Sequence, residues 1–74
     1  MAGEPSDPGE VWNLIRRADD LVKYSANRDP AVARTQAREV LERAVRAADG
    51  LEDRRAGDTL ASQARTRLAD LEEP

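Results

Sequence analysis

Apolar residues recur along this chain at intervals of three and four, in three blocks separated by turn signals. The first block runs through Val11, Leu14, Ile15, Ala18, Leu21, Val22 and Ser25, the spacing that places side chains on one face of a helix. The second comprises Ala33, Ala37, Val40, Leu41, Ala44 and Ala48. The third comprises Gly57, Leu60, Ala61, Ala64, Leu68 and Leu71. No stretch shows the alternation of a half-buried strand. The pattern predicts an all-α protein, an antiparallel up-down-up three-helix bundle with helices over about residues 8–26, 30–48 and 53–72.

The punctuation between the blocks supports these limits. Asp7-Pro8-Gly9-Glu10 offers an acceptor at the N-cap, a proline at the first helical position and a glutamate at the third. Asp29-Pro30 repeats the cap-plus-proline signal. Asn27 is a residue that tolerates the left-handed conformation ending many helices. The first connection is thus expected to be only two or three residues, short enough to force a hairpin. Gly50 suits the position just past the second helix, with Leu51 folding back toward Val45. Asp53 is taken as the start of the third helix. Asp58 is the alternative, because Gly57 inside a helix costs about 1 kcal/mol relative to Ala. Glu39–Arg43 and Glu42–Arg46 have the favoured acid-before-base order for surface pairs. Lys23, three and four residues from Asp20 and Asp19, is expected to form a surface ion pair as well.

Of the 74 residues, 39% are apolar, and 13 of those are Ala. The remaining large apolar and aromatic side chains suffice for one small core and no second domain. The expectation is a disordered tail over 1–6, a single domain over 7–72 and a disordered end over 73–74. The absence of Cys excludes a disulfide scaffold, a thiolate metal site and a thiol nucleophile. The absence of His removes the commonest general base and the commonest zinc ligand. No apolar run approaches the roughly 20 residues that span a bilayer. Residues 1–8 carry no basic or apolar segment of a secretory signal, so a cytoplasmic location and no membrane contact are expected.

Two resemblances bear on this pattern. The hairpin from Trp12 to Ala48 followed by Leu60–Leu71 resembles the small three-helix modules that dock partner helices, of the microtubule-interacting-and-transport type. The likeness is one of architecture, shared with tetratricopeptide-like helical modules, and no motif carries residue roles across. Trp12 is present, but the rest of the tetratricopeptide Trp-to-Pro pattern is not. The string Trp12-Asn13-Leu14-Ile15-Arg16-Arg17-Ala18-Asp19-Asp20-Leu21 is similar to short uncharacterised helical proteins of high-GC Gram-positive bacteria. A composition of 13 Ala, with a single Lys among 12 basic residues, agrees with that. Neither resemblance implies an activity.

Candidate chemistry is sparse. Ser6, Ser25, Thr35, Thr59, Ser62 and Thr66 have no His to activate them, and adjacent acids such as Asp19-Asp20 diverge by about 100° on a helix. Asp49, Glu52 and Asp53 do not match the spacing of a calcium loop; acids around a turn and a helix start are the simpler explanation. An enzyme is therefore not expected, nor a cofactor, a metal or a small-molecule substrate.

The charge pattern points elsewhere. The chain's net charge is −3, yet residues 8–69 hold ten acids and twelve bases. Arg34, Arg38, Arg43 and Arg46 in the second helix and Arg54, Arg55, Arg65 and Arg67 in the third make a nucleic-acid-associated regulator the alternative function. Glu39 and Glu42 interrupt the first of these sets, and acidic ends repel a polyanion, so nucleic acid is the less favoured partner.

The aromatics are more informative. On a 100° helical wheel Trp12 lies about 120° from the centre of the core face, beside Arg16, Asp19 and Lys23, and Tyr24 lies about as far on the other side. Trp12 is then either a cap on a seam of the bundle or an interface anchor, a role for which Trp, Tyr and Arg are enriched. Val45 sits off the inner face of the second helix, near Leu41, Arg34 and Arg38. The sequence thus leads to a non-enzymatic helical protein–protein interaction module. Its partner is an unknown protein or a second copy, and its candidate interface is Trp12, Arg16, Tyr24, Arg34, Leu41 and Val45.

Overall fold

The structure, a computed structural model, describes residues 7–24 and 29–72. It contains three helices: α1 over Pro8–Lys23, α2 over Pro30–Asp49 and α3 over Arg54–Glu72. Among the described residues there is no strand. The chain is an all-α three-helix bundle, as the periodicity predicts.

Each helix start has a visible local cause. The Asp7 side chain accepts a hydrogen bond from the Gly9 N–H at 2.9 Å, and Asp29 accepts one from Ala31 at 2.9 Å. Pro8 and Pro30 follow their caps directly, where a missing N–H removes nothing. At α3 the Asp53 carboxylate accepts from the Ala56 N–H at 3.1 Å and its carbonyl from the Gly57 N–H at 2.9 Å. The earlier of the two expected starts is the one formed. Asp58 lies inside the helix.

The helix ends differ more from expectation. α1 stops at Lys23, with Tyr24 as its C-cap, three residues short of the expected end. Ser25 and Asn27, proposed as the last inward position and the terminator, lie outside the described residues, as does most of the expected short connection to Pro30. α2 ends at Asp49 with Gly50 at φ −91°, in the right-handed region. The Gly50 N–H donates to Ala47 and the Leu51 N–H to Ala48. These i→i−3 bonds tighten the last turn, so no left-handed glycine is required.

Direction follows from which ends meet. Gly57, early in α3, lies against Ala48, late in α2, so those two helices are antiparallel. Val22, near the end of α1, shares a cleft with Pro30 and Ala33 at the start of α2 and with Leu71 at the end of α3. Pro8 and Trp12 share another with Ala56 and Leu60. α1 and α3 therefore run parallel, with α2 antiparallel to both and packed most extensively against each.

The core is built from small residues. Val11, Ile15 and Leu41 are its largest fully buried side chains, and eight of the twelve buried hydrophobics are Ala. Alanine contributes little area at about 25 cal/mol per Å², but it lets backbones approach closely. The closest approach is at Gly57, where an added Cβ would lie 2.5 Å from the Ala48 carbonyl oxygen. Val22 departs from expectation. It is 44% exposed, because α1 and α3 do not close over each other at that end and leave one side of Val22 facing the cleft. Val32, in the first turn of α2, is also exposed.

Candidate functional site

The α1–α3 seam is the thinnest packing surface of the bundle, and it carries the chain's one tryptophan. Trp12 is 37% exposed and stands over a shallow groove lined by Pro8, Gly9, Ala56, Thr59 and Leu60. From the α3 side Arg67 reaches across the seam. Its Nε donates to the two carboxylate oxygens of Asp19 at 2.9 and 3.2 Å. Its Nη1 donates to the Gln63 carbonyl oxygen and side-chain oxygen, and its guanidinium carbon lies 5.9 Å from the Trp12 ring centroid. A cation over an indole face is attracted by the ring quadrupole. Arg67 is thus the polar link between α1 and α3, and the Asp19–Arg67 pair is the one ion pair among the described residues.

That pair replaces several expected ones. Glu39–Arg43 and Glu42–Arg46 are not within ion-pair distance among the described residues; on exposed helix faces such pairs gain little against the entropy of two long side chains. Lys23 does not join Asp19 or Asp20. Its ammonium lies 5.5 Å from the Tyr24 ring centroid, while Arg67 takes Asp19.

Beyond Arg67 the seam opens again. A cleft of ≈ 320 Å³ is lined by Ala18, Val22, Leu41 and Leu71, with Asp19, Lys23, Arg67 and Asp70 around its mouth. A smaller one continues past Val22 to Pro30, Ala33 and Arg34. Splaying of α1 from α3 supplies that space, open to solvent.

The six candidate interface residues do not form one patch. Trp12 and Arg16 lie one turn apart on the flank of α1 that borders α3 and are exposed. Tyr24 is 62% exposed at the end of the same helix. Arg34 is exposed near the start of α2, beside the smaller cleft. Val45 is half-buried, packed on the core. Leu41 needs correction: it is 2% exposed, a core residue at the floor of the larger cleft. Its place on the inner stripe of α2, with Ala37 and Ala44, decides this. Sequence reasoning missed Asp19 and Arg67 as partners, since 48 positions separate them and neither is distinctive alone.

Thr35 and Thr66 donate their hydroxyls to the carbonyls of Ala31 and Ser62, one turn earlier. Among the described residues no group of three or more acids is placed to hold a metal ion, and no helix is long and apolar enough to cross a membrane. Arg54 and Arg55 are exposed in the first turn of α3, flanked in sequence by Glu52, Asp53 and Asp58. Comparison with protein-family models, curated proteins and solved structures gives no match to this chain.

Proposed function

We propose that this chain is a non-enzymatic helical interaction module that binds another protein surface, its own included, through the flank of α1 that borders α3. The observation that supports this is the position of Trp12. The described core assembles around Val11, Ile15 and Leu41, and the indole stands at its edge, partly exposed above a groove that Leu60 and Ala56 line. An exposed Trp beside Arg side chains is the composition enriched where interfaces concentrate their energy. A nucleic-acid role has less behind it, because Arg54 and Arg55 stand among acids.

The test is Trp12→Ala. The far-UV circular dichroism should remain that of a folded three-helix protein, while association, read by sedimentation equilibrium, weakens. Loss of helical signal at 25 °C would make Trp12 a residue on which the fold depends and would remove the reading.

A further inference from the structure

Four exposed residues of α1, Trp12, Arg16, Asp19 and Lys23, are spaced by four, three and four positions. That spacing lines them up as one ridge along the helix, about 16 Å from first to last at 1.5 Å per residue. Their order is complementary to its own reverse. Turned end for end about the midpoint between Arg16 and Asp19, the ridge sets Arg16 opposite Asp19 and Trp12 opposite Lys23. Superposed in the same direction it sets cation on cation and carboxylate on carboxylate. Charge therefore selects the antiparallel arrangement.

Building on the interaction-module reading, we propose that the partner of this flank is a second copy of the chain, related by a two-fold axis between Arg16 and Asp19, with the two α1 helices antiparallel. Such an isologous contact makes each pairing twice. The monomer leaves the groups available: Arg16 is in no ion pair, and Asp19, although held by Arg67, keeps 49% of its side chain exposed. Lys23 rests only on its own neighbour's ring. The shape agrees with the charges. Trp12 stands at one end of the ridge, and the apolar cleft walled by Val22 and Leu71 opens at the other. The same reversal carries each indole to the partner's cleft. Because α3 runs parallel to α1, it also brings Arg55, at the start of α3, toward Asp70 and Glu72 at the partner's end. The contact is a short ridge with charged pairs at its centre, so the dimer falls in the weak, transient class.

Sedimentation equilibrium from about 1 μM to about 1 mM, a range that brackets weak affinities, tests this with two charge reversals. Arg16→Asp opposes carboxylates across the axis, and Asp19→Lys opposes cations. Each variant alone should associate about tenfold or more weakly than the native chain, because like charges are juxtaposed at the centre of the contact. An equimolar mixture should recover a heterodimer of native strength, since both central pairs are then of opposite sign. Circular dichroism of each variant shows that the fold is intact. Should Asp19→Lys unfold by losing Arg67, Arg16→Asp alone still decides, because Arg16 holds nothing in the monomer. A native chain that stays monomeric throughout overturns the proposal and leaves the Trp12 flank to a different protein. A native dimer indifferent to Arg16→Asp overturns it too. Neither result is the unfolding by Trp12→Ala that would remove the underlying reading.

Discussion

Replacing Gly57 by Ala would place a methyl carbon 2.5 Å from the Ala48 carbonyl oxygen, 3.5 Å from the Ala48 carbonyl carbon and 3.7 Å from the Leu51 Cβ. The first two obstacles are backbone, so no rotamer change relieves them, and α3 must move away from α2 by several tenths of an ångström. Intrinsic propensity acts the other way, favouring Ala over Gly in a helix by about 1 kcal/mol. Overpacking a well-packed seam costs about 1–3 kcal/mol. A rigid carbonyl places this site at the upper end, for a net loss of about 2 kcal/mol. In a domain of this size that lowers Tm by about 10 °C. Gly50→Ala is the internal control. Its added Cβ meets the Ala47 oxygen at an ordinary 3.6 Å, and φ is −91°, so a gain of about 0.5 kcal/mol from the restricted unfolded chain is expected. Thermal and urea melts of the two variants followed by circular dichroism should therefore move in opposite directions. A Gly57→Ala protein as stable as the native one, or more so, would refute the close α2–α3 approach.

Ile15→Ala empties a fully buried position beside Val11 and Leu41 and should cost about 3 kcal/mol in urea melts, within the usual range for such truncations. Val22→Lys, by contrast, should change stability by less than about 0.5 kcal/mol, because Val22 is 44% exposed; a loss of several kcal/mol would put it back in the core. Asp29→Ala removes the acceptor for the Ala31 N–H and should lower stability by about 1 kcal/mol in the same melts. Arg67→Gln should cost at most about 1 kcal/mol, since its Asp19 pair is solvent-accessible on both sides. It should nonetheless shift the emission of the single Trp by withdrawing the cation from its ring.

What the sequence makes legible here is what short-range chemistry decides. Asp7-Pro8 and Asp29-Pro30 announce helix starts because cap and proline act within three residues, and both starts form where those signals place them. The Ala-rich inner stripe of α2 is legible for the same reason, as its buried positions follow one helical period. Leu41 belongs to that stripe, and its parallel candidacy as a surface contact fails on the same periodicity. Contacts between helices are another matter. The Asp19–Arg67 link depends on the relative height of α1 and α3, which no local pattern encodes. Val22 lies on the apolar side of α1, yet it is exposed because α3 does not close over it. The end of α1 at Lys23 was likewise hidden, since Leu21, Val22 and Ser25 continue the periodicity and Tyr24 is no terminator by type. Of the site, Trp12 and Arg16 were legible as an off-core pair, and the cleft beyond them was not.

On the proposed function, Trp12 stands outside the core and is covered by another surface on association. The chain has one Trp, so acrylamide quenching of its fluorescence as a function of protein concentration tests this most directly. Ready quenching in dilute solution and progressive protection as concentration rises are expected, with an unchanged helical spectrum. An indole equally shielded at every concentration would be a core residue, and an indole equally accessible at every concentration would be one that no second copy covers.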